Sequence, residues 1–529
     1  MALAESSLPY PSLTLALLAV VVVVVLLLLL DVTKPRRFPP GPAWLPVVGA
    51  YPLLRRLVDK HGFLHEVWRE LAARYGPVLG LRLGRDLVVV ASGLAAVHEV
   101  LRHADFDGRP DGFFFRLRCF GERLGIVFTE GEHWQEQRRF SLRQLLPDLE
   151  AHVVAEAAEL VGALRSSAAA APARPVPMCG AFDVSVLNVL WAKLDGRRFR
   201  RDDARLAGLL RTLHDCFRET DVSGGLLNQM PFLRFVAPDR CGYTNTLRNL
   251  RTLWGFLEET VAEHKQDPTT PRGLIDAFLE MQQNGEGSGN FSEKQLLSLL
   301  LDLFMAGAET TSNTLGFCVM FLLQHPEVQR RAQDELDRVV GRHRDPCLKD
   351  RHKLNYLKAV LMETQRLGNI APVGVPHRAV RNARIRGDKD GQEFVVPKGT
   401  IVLANLMSVH MDRDHWGDPE RFRPERFLDE TGSLKPPTKY FLPFGVGRRS
   451  CLGERLARSS LFLFAASLLH HFTLSPSPEH PIGERHFLDG FTLSPKPLYA
   501  VLTPRDLDVG APASAPAPAG GSLGAGEPA

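Results

Sequence analysis

The chain contains no C-x-x-C pair. Its seven cysteines, at 119, 179, 216, 241, 318, 347 and 451, are scattered and odd in number. That argues against a disulfide framework and against a Cys₄ zinc or iron–sulfur site, and it suits a reducing compartment for the globular part. No lysine or arginine block stands out either: 64 basic residues meet 60 acidic ones, for a net charge of +4. A nucleic-acid-binding arm is therefore not expected. No flavin or nicotinamide fingerprint is apparent. No internal repeat is visible. What is present is an ordinary globular balance, 45% hydrophobic and 23% charged, with ample material for a large core.

The N-terminus departs from that balance. From Leu13 to Leu30 only Thr14 interrupts an apolar run, and nothing in it is charged. As a helix the run would span about 27 Å, close to a bilayer core of roughly 30 Å. Residues 13–30 are therefore expected to form a single transmembrane anchor. A cleaved signal peptide fits less well, since the run is long and lacks a basic leader or a small-residue cleavage site. Lys34, Arg36 and Arg37 follow it and only Glu5 precedes it, which places the globular bulk in the cytosol.

Phe38-Pro39-Pro40-Gly41-Pro42 lies within a Pro-rich hinge over 31–42, stiffened by fixed φ angles. Residues 43–505 form the expected catalytic domain, and the Gly/Ala/Pro/Ser tail over 509–529 is expected to be disordered. Leu79–Leu83 and Leu87–Val90 read as a hairpin of strands. Segments 168–177 and 284–290 read as loops. Ser292 and Gln295 form an S-x-x-Q capping box that opens a helix apolar on nearly every side, ending at His325 before Pro326. Such a helix belongs at the centre of a large domain. Its middle is Ala306-Gly307-Ala308-Glu309-Thr310-Thr311, where small residues allow close approach of something flat and a Thr hydroxyl can compete for an i−4 carbonyl.

Phe444-Gly445-Val446-Gly447-Arg448-Arg449-Ser450-Cys451-Leu452-Gly453 precedes an apolar helical stretch from Glu454 to about His471. Cys451 thus sits near a helix N-terminus with arginines close by, both of which favour the thiolate.

That loop, F-x-x-G-x-R-x-C-x-G, resembles the haem-binding loop of the cytochrome P450 family. Four further motifs stand in the family's order: Trp134–Arg138 resembles its W-x-x-x-R helix, Ala306–Thr311 its A-G-x-E-T-T segment, Glu363–Arg366 its E-x-x-R helix, and Pro424–Phe427 its P-E-R-F segment. The resemblance spans about residues 35 to 503 and is to the microsomal type. Leu226–Phe235 through Gly242-Tyr243 is more narrowly similar to arthropod enzymes near the methyl farnesoate epoxidases, within the group of drug- and steroid-oxidising enzymes.

The resemblance implies a mainly α fold with small β-sheets and a long central helix over haem b. It implies Cys451 as the iron ligand and Trp134, Arg138, His377 and Arg449 as propionate contacts. Glu363, Arg366 and Arg426 would form a structural triad behind the cysteine loop, and Glu309 and Thr310 a proton relay to O₂. Phe114, Phe304, Ala306, Val373 and Phe491 would line an apolar pocket. The implied activity is a monooxygenase hydroxylating or epoxidising a lipophilic terpenoid, steroid, fatty acid or xenobiotic at the endoplasmic reticulum membrane. Electrons would come from NADPH through a separate NADPH–cytochrome P450 reductase, with cytochrome b5 as a second donor. Arg139, Arg143, Lys439, Arg448, Arg455 and Arg458 are candidates for a basic docking face. Two rivals remain: a haem-thiolate isomerase or dehydratase acting on lipid peroxides, and a non-catalytic membrane haem or lipid carrier.

Overall fold

One helix that is apolar on nearly every side organises the tertiary structure. The computed structural model describes residues 10–170, 174–219, 224–267, 272–285, 289–387, 392–483 and 486–505; the tail expected over 509–529 lies outside them. The helices that build the site are α1 (Tyr10–Asp31), α2 (Leu94–Arg102), α3 (Gly131–Leu145), α4 (Leu149–Ala170), α5 (Asp183–Leu194), α6 (Ala204–Glu219), α7 (Tyr243–Gln266), α8 (Glu293–Gln324), α9 (Asn355–Gly368) and α10 (Glu454–His471). The strands of the main sheet are β1 (Val78–Leu83), β2 (Asp86–Ala91), β3 (His377–Arg378) and β4 (Ile401–Ala404).

The central helix is α8, packed on α5, α7, α9 and α10. Its start differs from the expected reciprocal capping box. Ser292 Oγ accepts from the Gln295 amide at 3.2 Å, but the Gln295 side chain reaches across to Gly125, accepting from its N–H at 2.8 Å. A buried loop N–H without a partner costs more than an exposed cap, so the side chain goes where burial demands it. Pro326 ends α8 and opens the next helix, Pro326–Val339, at its first turn, where a missing N–H costs nothing.

The expected hairpin is β1–β2, antiparallel from Val78↔Ala91 to Leu83↔Asp86. β2 runs parallel to β4, and β3 closes the other side of β4 antiparallel, giving the order β1-β2-β4-β3. The segment read as a loop over 168–177 is different in part. α4 continues through Ala170, in keeping with alanine's helix propensity, and Val176–Pro177 pairs as a short edge strand.

The Pro-rich segment lies against β1. Phe38 is buried edge-on to Trp44, and the Gly80 N–H donates to Pro40 O at 2.7 Å. A Cβ on Gly41 would stand 1.9 Å from Gly80 O, so this approach requires glycine. At the end of α1, Asp31 Oδ2 accepts from Arg82 Nη2 on β1 at 2.6 Å. Besides Asp31, the side chains of α1 are described for residues 15–26, all exposed. Among the described residues no helix is both long and apolar enough to cross a membrane, and the span expected at 13–30 falls partly outside them.

Candidate active site

Burial along α8 is interrupted in its middle. Gln295–Phe304 and most of Thr311–Leu323 are buried, whereas Ala306 is exposed and Met305, Gly307 and Thr310 are half-buried. An exposed alanine at the centre of a core helix faces an interior recess. Gly307 does not contribute to it as expected: a Cβ there would meet Leu190 of α5 at 2.6 Å, so its smallness serves helix packing. Thr310 Oγ1 donates to Ala306 O at 2.9 Å, the i−4 bond that a threonine in a helix can make.

Cys451 sits two residues before Gly453, the cap of α10. It is accessible, but only from a recess, since protein crowds it on nearly every side. That burial pushes its thiol up, against the smaller lowering effects of the Gly453 N–H and the Arg138 charge. The expected preference for thiolate from the helix end and nearby arginines is therefore outweighed. A metal ion would supply the missing positive charge, because a coordinating thiol is deprotonated outright. The loop has no freedom to drift: Gly447 has φ +84°, and a Cβ on it would lie 2.2 Å from Leu101 O of α2.

Next to this loop stands a wall of cations. Arg138 Nη2 donates to Ser450 O at 2.9 Å. Arg449 donates from Nε to Asp107 O and from Nη2 to Thr129 O, each at 2.8 Å, with its guanidinium 3.8 Å over the Trp134 ring. Arg138 lies over the same ring at 5.7 Å. Arg109, which sequence reasoning missed, donates from Nη1 to Val375 O at 3.1 Å and Pro376 O at 3.0 Å, and its buried Nε has no partner. Among the described residues none of these three guanidiniums forms a salt bridge with a carboxylate. Burial, with the neighbouring Arg449 charge, brings Arg109 down to about 9, and burial brings Arg449 down to about 10. Only its placement could have drawn attention to Arg109, since no motif surrounds it.

His377 in β3 is buried. Its Nδ1 lies 2.7 Å from Phe106 O and must donate to it; burial and the Arg109 charge hold the ring well below its usual pKa, hence neutral. Nε2 then carries a lone pair. A carboxylate placed there would draw a second proton onto the ring.

Glu363, Arg366 and Arg426 meet in a fully buried cluster. Arg366 forks onto Glu363 at 2.7 and 2.8 Å, Arg426 Nε donates to Glu363 Oε1 at 2.9 Å, and the Arg423 N–H adds another bond at 2.9 Å. Arg366 also donates to His410 O at 2.8 Å, while His410 Nε2 accepts the Leu442 N–H at 2.9 Å. His410, also missed, thus joins the cluster to the start of the cysteine loop.

The pocket residues divide. Phe491 touches three hydrophobic clusters, one containing Phe114 and another Val373. Phe304 is a correction: at 0% exposure it packs on Trp191 and Phe256, with ring centroids 5.8 and 5.9 Å away. Its position on α8 turns it toward α5 and α7 rather than the recess. Glu309 and Thr310 are not hydrogen-bonded to each other; neighbouring helix residues point about 100° apart.

A sequence model of the family Cytochrome P450 matches residues 39–502. The farnesoate epoxidase of Bombyx mori is 36% identical over 479 residues, covering 88% of this chain and 94% of that protein. The probable cytochrome P450 303a1 of Drosophila melanogaster is 37% identical over 494 residues, covering 90% and 96%. Cytochrome P450 2D6 of Homo sapiens is 38% identical over 487 residues, covering 89% and 94%. The family's cofactor, haem b, fits the residues present: a soft sulfur ligand, a recess with small α8 side chains, and buried or half-buried guanidiniums without carboxylate partners among the described residues suit a flat metal complex bearing two carboxylates.

Proposed function

Because the chain belongs to the cytochrome P450 family and is a haem monooxygenase, we propose that it oxidises a lipophilic substrate at the endoplasmic reticulum membrane, by hydroxylation or epoxidation. The observation that carries the reading is the cation wall beside the cysteine loop. Among the described residues Arg138, Arg449 and Arg109 have only backbone carbonyls as hydrogen-bond partners, and their remaining N–H groups suit the carboxylates of haem. Cys451 Sγ is the iron ligand, and Trp134 and His377 complete the propionate contacts.

When bound, haem supplies O₂ activation and the oxidation itself. This chain's residues do the rest. Thr310 holds a hydroxyl proton at the open face of α8, and Glu309 holds the carboxylate from which protons are drawn. The Glu363–Arg366–Arg426 cluster, acting through His410, fixes the strand of chain that leads to Cys451. Ala306 and Phe491, with Phe114 and Val373 packed behind Phe491, present apolar surface to substrate.

Residues 13–30 anchor the protein, residues 31–42 link the anchor to the sheet, and residues 43–505 form the catalytic domain. The exposed valines and leucines of 15–26 support the anchor, as do the basic residues after it. Phe232, Phe235 and Val236 are exposed as well and offer a second lipid contact. Arg139, Arg143, Lys439, Arg448 and Arg455 are exposed and form the docking face for an NADPH reductase, with cytochrome b5 as a second donor.

The test is to supply the full-length, haem-loaded protein with NADPH–cytochrome P450 reductase, NADPH and ¹⁸O₂. Farnesoate, suggested by the name of one relative, is the first substrate, followed by steroids and fatty acids. Product carrying one ¹⁸O atom is expected. Turnover of a lipid peroxide without any reductant would instead assign the protein to the isomerase class.

A further inference from the structure

Glu309 stands one residue from Thr310, yet its carboxylate faces α6. Oε2 is hydrogen-bonded to His214 Nδ1, while Oε1 accepts from Arg218 Nη2 at 3.2 Å and from Asn313 Nδ2 at 2.7 Å. His214 and Arg218 are four residues apart on α6 and share one of its faces. The second ring nitrogen of His214, Nε2, lies 2.9 Å from Asp183 Oδ2 on α5. An imidazole that serves two carboxylates must donate from both nitrogens, which makes it the cation. Burial opposes that charge, but the hydrogen bonds with Asp183 and Glu309 outweigh burial and hold the ring up at about 10. The charged groups facing the ring are Asp183 from α5, Glu309 from α8 and Arg218 from its own helix, with Asp489 acting on Arg218. Asp183 and Glu309 therefore balance His214 and Arg218, with Asp489 a further anion beyond Arg218. Glu309 is 1% exposed, whereas the His214 side chain is 35% exposed.

We infer that His214 is the positioning residue for Glu309 and the proton reservoir behind it, drawing protons from solvent on the α5–α6 side. The ring passes its Nδ1 proton to Glu309 Oε2, and the carboxylic acid so formed gives a proton up toward Thr310. The neutral imidazole then takes a proton back at Nδ1, its one free lone pair, from water that reaches the ring on its exposed side. One proton leaves the cluster and one enters, so no net charge builds up. Asp183 keeps the ring oriented by holding Nε2–H throughout. Arg218 and Asn313 keep the second carboxylate oxygen fixed meanwhile, so that Oε2 stays aligned with the ring. The proposal rests on the reading of Glu309 and Thr310 as a monooxygenase's proton relay.

The experiment compares wild type with His214→Gln, using full-length haem-loaded protein with reductase, NADPH and a substrate the wild type oxidises, from pH 6 to 9. Glutamine keeps a polar group near Glu309 but cannot carry the proton. Wild type should divide its electrons between product and hydrogen peroxide in a ratio that varies little with pH. In the variant the product-to-peroxide ratio should fall about tenfold at the alkaline end, below the usual range of about 10²–10⁴ because water partly substitutes. The loss should shrink at pH 6, where solvent protons are plentiful. A second readout needs no turnover. The folded-state pKa of His214 lies above the unfolded value near 6.5, so its stabilisation is complete below that pH and is lost as pH rises toward about 10. Thermal midpoints should show that alkaline slope in wild type and a shallower one in His214→Gln. A role confined to packing would lower the midpoint equally at every pH and leave the pH dependence of peroxide release unchanged; that result overturns the proposal. Wild type that forms no NADPH-dependent product with any substrate would overturn the relay reading beneath it, and this proposal with it.

Discussion

Arg138 donates from Nη2 to the carbonyl oxygen of Ser450 at 2.9 Å, fastening α3 to the residue that precedes Cys451. The same guanidinium lies over Trp134, and its charge is felt by the Cys451 sulfur. Cysteine loop and cation wall are therefore one mechanical unit, joined by a side chain that serves both.

Removing a member of that wall should loosen haem. Arg138→Ala and Arg109→Ala each delete a charge-assisted contact worth about 1.5–3 kcal/mol. Haem transfer to an excess of apomyoglobin should accelerate by about 10- to 150-fold. Arg109→Lys should recover only part of this, since an ammonium that replaces Nη1 on the two carbonyls has no second nitrogen left to face a carboxylate. Normal haem retention with a weakened response to reductase would move these residues to the docking face.

Cys451 and Cys318 give a matched comparison. Cys318 is buried inside α8, and burial pushes its thiol up to about 12, so it is inert. Cys451→Ala should abolish the red-shifted Soret band of the reduced, carbon-monoxide-bound protein. Cys318→Ala should retain it. A band that survives in the Cys451 variant would falsify the ligand assignment.

The residues legible from the sequence were those whose meaning is local. Cys451 announces itself through glycines and arginines within a few positions, Trp134 and Arg138 through their i, i+4 spacing, and the β1–β2 hairpin through two apolar runs about a turn. Arg109, His214 and His410 carry no such context. Their partners are 266, 95 and 32 residues away in the chain, so only folding gives them a role. Phe304 shows the converse: an aromatic on the right helix reads as pocket lining, but α8 is buried on most sides and rotation about its axis decides which faces open. The same rotation separates Glu309 from Thr310.

His410 should weaken the protein in acid. Burial, with the Arg366 charge, holds its pKa down at about 3. The folded value lies below the unfolded one, so the neutral ring's contribution is fully present above pH 6.5 and is lost as pH falls toward 3. The slope is about 1.4 kcal/mol per pH unit, or roughly 2 kcal/mol between pH 6.5 and 5. Urea unfolding at pH 7 and pH 5 should show a smaller loss in His410→Gln, which can still accept the Leu442 N–H. An identical acid loss in both proteins would mean that other groups control it.

Thr310 separates oxygen activation from rearrangement. Its hydroxyl proton is engaged with Ala306 O, so passing it on means leaving that bond. Thr310→Ala keeps the helix, because alanine suits it well. NADPH consumption should continue while hydrogen peroxide rises and product falls, at or below the low end of the usual 10²–10⁴-fold effect of about that class. Thr310→Ser, which keeps the hydroxyl, should lie between. Coupling that is unchanged in the alanine variant would remove Thr310 from the relay.

The narrow opening in α8 has a practical consequence for redesign. Between Gln295 and Leu323 only Met305, Ala306, Gly307, Thr310 and Asn313 escape burial. Gly307 is committed to Leu190, Asn313 to Glu309, and Thr310 to a proton. Met305 is committed to Arg118, whose Nη2 donates to its sulfur at 3.4 Å, so a library meant to change which molecule is oxidised has one free position on this helix, Ala306, and gains more by varying Phe491 than by extending along α8, where each further codon would tax cohesion.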